Sequence, residues 1–165
     1  MIRKALNHER SSATIRPDSL VLLAIFCAHP SAVAQPSFET LGLLPGTTYS
    51  RAREVSEDGR VVVGLAGSAT GEVEGFRWTP SSGIQRVGDL PGGLVYSSAG
   101  AVSPDGSVVA GVSASSLGYE AFIWRDGVMR GLGDLAGGLF YSEAFDMSDN
   151  HGPIVGGGVG PVGAE

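Results

Sequence analysis

From Thr47 onward, apolar and polar residues follow one another in runs of about five residues, each closed by a turn signal. One stretch shows the pattern in full. Tyr96–Val102, Ser107–Ser113, Glu120–Arg125 and Val128–Leu132 read as four short strands. Ser103-Pro104-Asp105-Gly106 divides the first two, and Asp126-Gly127 divides the last two. An Asp-Gly pair between apolar runs is a strong hairpin signal. A glycine-rich corner, Gly133 to Gly138, follows. Strand side chains alternate between faces, so Phe122 and Trp124 share one.

The pattern repeats. Tyr49-Ser50-x-Ala52 recurs as Tyr96-Ser97-x-Ala99 and Tyr141-Ser142-x-Ala144, with the tyrosines 47 and 45 residues apart. Asp58-Gly59 recurs as Asp105-Gly106 and then as Asn150-His151; Gly64, Gly111 and Gly156 keep step. Phe76-Arg77-Trp78 matches Phe122-Ile123-Trp124. Gly88-Asp89-Leu90-Pro91-Gly92 matches Gly133-Asp134-Leu135-Ala136-Gly137. Four antiparallel strands per unit of about 45 residues predict an all-β chain of propeller-type blades. A lone four-stranded sheet cannot bury both faces, whereas stacked blades cover each other. Phe76, Trp78, Phe122 and Trp124 are therefore expected between blades. The alternative architecture is a β-solenoid.

The first 34 residues differ from the rest. Arg3, Lys4, Arg10 and Arg16 precede the apolar run Leu20–Ala28, and Ala32-Val33-Ala34 is a small-residue cleavage pattern. That order predicts a secretory signal peptide over 1–34, cut between Ala34 and Gln35. The run is shorter than the roughly 20 residues a membrane span needs, so no span is expected after cleavage. Cys27 follows the bulky Phe26, which argues against a lipid-modified cysteine.

Residues 35–165 hold all 26 glycines, seven arginines, fifteen acidic residues and no lysine. Such an acidic stretch is a poor match for nucleic acid. It has no cysteine and a single histidine, His151, which excludes disulfides, thiolate centres and multi-histidine metal sites. Asp58 and Asp105 are read as turn residues whose carboxylates bond nearby N–H groups. A Ser–His–Asp arrangement would need His151, which takes the place of a turn glycine. Gly156-Gly157-Gly158-x-Gly160 lacks the lysine of a phosphate loop and is read as a connection. No catalytic residue, cofactor or metal is expected.

Glu120-Ala121-Phe122-Ile123-Trp124, Gly88-Asp89-Leu90-Pro91-Gly92-Gly93 and Val102-Ser103-Pro104-Asp105-Gly106-Ser107-Val108-Val109-Ala110-Gly111 together resemble the extracellular repeats of the HAF family. The resemblance covers about 37–165. It implies a bacterial secreted or surface protein, or a periplasmic one, with no assigned reaction. Glu120-Ala121-Phe122 stands where the family has His-Ala-Phe, so nothing tied to that histidine carries over.

The expected organisation is a leader over 1–34, a stray fourth strand over 37–46, unit 1 over 47–85, unit 2 over 86–130 and a truncated unit 3 over 131–165. Glu165 aligns with Glu120, one residue before the aromatic third strand, so a partial propeller cut inside a blade is expected. The functional expectation is a non-enzymatic binding or scaffold module for a protein or glycan. A fragment of a propeller hydrolase or lyase, and a sugar-binding propeller, are the alternatives. The recurring tyrosines are assigned to packing ahead of sugar stacking.

Overall fold

The computed structural model describes residues 39–150 and 152–161. Those residues are all-β, with ten strands and no helix, and the sheets do not close on themselves. The first unit is an antiparallel meander of β1 (Thr47–Val55), β2 (Val62–Ser68), β3 (Val73–Thr79) and β4 (Gly83–Arg86). The second repeats it with β5 (Gly92–Val102), β6 (Val108–Ser115), β7 (Tyr119–Arg125) and β8 (Val128–Gly133). The third contributes β9 (Ser142–Met147) and β10 (Ile154–Gly158), paired antiparallel. Among the described residues, the strand pairings between units are two parallel bridges, Val73 with Tyr96 and Tyr119 with Tyr141. A solenoid would stack its coils through long parallel ladders; here the ladders are antiparallel and lie within units.

Repeated residues give repeated backbone geometry. Gly64, Gly111 and Gly156 pair with Ala52, Ala99 and Ala144, each beside a register shift. A Cβ on any of them would run into a carbonyl oxygen of the facing strand, that of Arg51, Ser98 or Glu143. The bulge and the glycine therefore require each other.

The Asp-Gly turns come in two forms. Asp126 and Gly127 both have positive φ, 51° and 83°, as a two-residue hairpin turn needs. In the other form the Gly59 and Gly106 N–H groups close back on the carbonyls of Ser56 and Ser103. The Ser56 hydroxyl donates to Asp58 Oδ1 at 2.7 Å and accepts the Val61 N–H at 3.0 Å. Ser103, Asp105 and Val108 repeat this at 2.9 Å in both bonds. These loops are thus four-residue turns clamped by a buried serine.

The units stack face to face. Val61 and Val63 of the first unit pack with Val87, Leu90, Ala99, Val109 and Phe122, flanked by Trp124 and Met129. On the other face of the second unit, Ala101, Val108, Ala110 and Ala121 pack with Ala144 and Met147. Strand alternation splits β7 between the two interfaces, Phe122 and Trp124 to one and Ala121 and Ile123 to the other. Phe76 and Phe122 are fully buried, whereas Trp78 and Trp124 are half-buried. A latch repeats across the stack. The Ser97 hydroxyl accepts the Gly75 N–H and donates to the Gly88 carbonyl; Ser142 does the same with Ala121 and Gly133.

One expectation needs correction. The described part of the stray fourth strand, residues 39–46, forms no strand. Among the described residues no third strand precedes it to supply a ladder. Leu41 and Leu44 instead pack on Phe76 and Ala66, covering the outer face of the first unit.

Candidate functional site

The strands β1, β5 and β9 start at one end of the stack with Tyr49 and Tyr96 near their starts and Tyr141 immediately before β9. Strand β7 brings Tyr119 to the same end, because third strands run parallel to first strands. Tyr96 and Tyr119 meet edge-to-face with centroids 5.1 Å apart, and Tyr119 and Tyr141 follow at 6.3 Å. Tyr119 and Tyr141 are more than a third exposed, at 38% and 37%. Arg51 lies over the Tyr49 ring at 5.6 Å.

The glycine-aspartate corners place this row. The Asp134 carboxylate accepts the Tyr141 N–H at 2.9 Å through Oδ2, and Asp89 accepts the Tyr96 N–H. The Oδ1 atoms of both aspartates are shielded from solvent with no hydrogen-bond partner. Burial pushes the Asp89 carboxyl above the usual range and Glu74 adds to this, while the Ser97 hydroxyl and the Tyr96 N–H oppose it. Each of these two tyrosines is thus anchored through its backbone N–H to a half-buried carboxylate of the preceding corner.

Two of the phenols, Tyr96 and Tyr141, are shifted upward. Burial raises the Tyr96 hydroxyl, with Tyr119 and Glu143 adding to the effect. Tyr141 donates to Glu143 Oε2 at 2.9 Å, and that bond raises it too. A phenol shifted upward is a hydrogen-bond donor at neutral pH, not a base or nucleophile. The row offers ring edges, phenolic donors, guanidinium groups and one engaged carboxylate.

At the opposite end lie the serine-clamped turns. Neighbouring turns touch: the Glu57 N–H donates to the Pro104 carbonyl at 3.0 Å, and Asn150 Nδ2 donates to Asp105 Oδ2. Arg77 donates to the Gly106 carbonyl and lies 5.9 Å over the Trp124 ring. Asp58 and Asp105 are committed to their own turns, and hydrogen bonds from Ser107 hold the Asp105 carboxyl down at about 2. The turn aspartates, the aromatic pairs and the tyrosine row are therefore three separate groups. Ala34, Gln35 and His151 lie outside the described residues.

Among the described residues no group of three or more His, Cys, Asp or Glu is placed to hold a metal ion, and no helix is long and apolar enough to cross a membrane. Sequence reasoning noted the recurring tyrosines but missed Tyr119. Its counterpart in the first unit is Val73, so no repeat signals it. Compared with known proteins, the chain matches no family model, no curated protein and no solved structure.

Proposed function

We propose that this chain is a section of a β-propeller that acts, after export, as a non-enzymatic binding module with the tyrosine row as its ligand face. The observation that carries the reading is the row itself. Four tyrosines from three units lie at one end; Tyr49, Tyr119 and Tyr141 are each more than a third exposed, and the hydroxyls of Tyr96 and Tyr141 are shifted upward. Rings with phenolic donors suit a ligand that is flat on one side and rich in acceptors on its rim, which favours a glycan over a globular protein. The propeller reading draws support from the first strands. Burial raises the Glu54 carboxyl of the first unit, and Asp146 of the third unit adds to it across the second. First strands two units apart that lie near enough to interact support a reading in which the units fan around an axis. The resemblance to HAF-type repeats and the basic–apolar–small order of residues 1–34 support export and a bacterial source.

The test is a glycan array probed with the full chain and with Tyr119→Ala and Tyr141→Ala. The expected result is saturable glycan binding that each substitution weakens about tenfold, or about 1.4 kcal/mol, with unchanged melting temperature. Binding unaffected by both substitutions would remove the row as the ligand face. Cleaved glycan products, read by mass, would replace the binding module with a hydrolase or lyase.

A further inference from the structure

The first strands keep their tyrosine and alanine in every unit but differ between them. Arg51, Ser98 and Glu143 occupy one repeated position, and Arg53, Gly100 and Phe145 another. The strand register gives the same equivalence: Arg51 stands opposite Leu65, Ser98 opposite Val112 and Glu143 opposite Gly157. The shared fold accepts a cation, a hydroxyl and a carboxylate at one place, so packing does not select them. Other arginines have partners. Arg60 lies beside Asp58, Arg86 pairs with Glu74, and Arg77 and Arg125 donate to the carbonyls of Gly106 and Asn150. Arg51 and Arg53 are exposed and, among the described residues, make no hydrogen bond or ion pair.

Both belong to the tyrosine row. Cross-strand partners share a face. Leu65 is two residues from Val63, which packs toward the second unit, so Arg51 is turned that way too. Its guanidinium is the one over the Tyr49 ring. Arg53 sits at the bulge between Ala52 and Glu54, close enough to Tyr96 to work against the rise of that hydroxyl. The neighbouring Glu54 is committed elsewhere: its Oε2 accepts the Val102 N–H of β5 at 2.8 Å. At the third-unit end the sign reverses, since Glu143 accepts the Tyr141 hydroxyl and its charge reaches Tyr96. The row thus runs from two uncommitted cations to a carboxylate.

We infer that the ligand of the row is an acidic glycan, with a uronic acid carboxylate held by Arg51 and Arg53 and neutral sugar rings continuing over Tyr119 and Tyr141. This rests on the reading of the row as a glycan-binding face and adds the ligand's charge and direction. A guanidinium takes a carboxylate through two parallel N–H···O bonds. Stacking on Tyr49 restricts Arg51 before the ligand arrives, which lowers the cost of ordering it. The surrounding stretch is acidic and repels polyanions in general, so the two local cations supply selectivity as well as attraction. Glu143 disfavours a second carboxylate at the far end.

The test probes the full chain with uronate-containing oligosaccharides, each paired with its carboxyl methyl ester, which keeps the rings and removes the charge. The ester is expected to bind at least tenfold more weakly than the acid. The double variant Arg51→Gln, Arg53→Gln should weaken acid binding about tenfold and leave the ester unchanged, with the melting temperature unaltered because both side chains are exposed. Tyr119→Ala should weaken acid and ester alike, and Glu143→Gln should improve binding of uniformly charged uronate oligomers. Esters or neutral glycans bound as tightly as acids, or acid binding unaffected by the double variant, would overturn the inference and leave the row as a glycan face. Sulfated glycans bound as tightly as uronates would overturn carboxylate recognition, and no gain with Glu143→Gln would overturn the direction. Failure of every glycan, neutral or acidic, would remove the glycan reading of the row and this inference with it.

Discussion

The two faces of the second unit carry the same kind of strand but meet different neighbours. Toward the first unit, four strands face four strands, and Val63, Ala99, Val109 and Phe122 are wholly buried. Toward the third unit, four strands face the two that the described residues contain. Strand β6 is buried along nearly its whole length, whereas its counterpart β10 exposes Val155 to 58%. The contrast shows that the repeat encodes interfaces rather than self-sufficient sheets. A unit's core residues are buried by its neighbour, so burial at equivalent repeat positions differs between units.

The largest test of this contrast is Phe122→Ala. Removing a fully buried ring from the complete interface should cost about 3–5 kcal/mol, read by denaturant unfolding. Phe145→Ala on β9, where the ring is 58% exposed, should stay within about 0.5 kcal/mol. Equal losses would mean that both interfaces are packed alike.

Next in size is the pair Gly111→Ala and Gly156→Ala. Both glycines face a carbonyl oxygen across a bulge, and in both a methyl group has no room. Gly111 lies in a strand held on both edges and both faces, so the clash has nowhere to relax. A loss of about 1–3 kcal/mol is expected there. Gly156 lies in a two-stranded sheet whose outer edge can shift, so a smaller loss is expected. A larger loss at Gly156 would show that β10 is as constrained as β6.

The repeated motifs made much of the first two units legible in the sequence. Ser103-x-Asp105-Gly106 announced a turn, and the turn is there with its carboxylate bonded locally. The Phe-x-Trp spacing announced a shared face, and the rings lie at unit interfaces. What stayed hidden depended on tertiary contact. The Ser97 latch joins Gly75 on β3, 22 positions away, and Gly88 in the corner before β5, 9 positions away, so the recurring Tyr-Ser motif marked its position without its partners. Tyr119 joins the row only because β7 runs beside the next unit. The strand expected over 37–46 failed in its described part for the same reason: a fourth strand needs a third strand to pair with.

The smallest expected effect is a difference in acid sensitivity between the two interfaces. Asp105 is exposed, yet hydrogen bonds from Ser107, with lesser ones from Ser103 and Asn150, hold its carboxyl down at about 2. A carboxyl lower in the folded state than its unfolded value of about 3.9 adds stability that is complete above that value. The contribution is lost as pH falls toward 2. Asp89 has the opposite sign: burial raises it, so ionising it disfavours the fold and lowering the pH relieves that cost. Asp89 sits at the complete interface, while Asp105 bonds Asn150 of the third unit. Amide exchange measured between pH 4 and 2 should therefore show β9 and β10 losing protection before β6. The Asp105→Asn variant should flatten that trend, since an amide keeps an acceptor oxygen but does not titrate. Simultaneous loss in β6 and β10 would show that acid unfolds the stack as one body, and the two interfaces would then be equal in the respect that matters here.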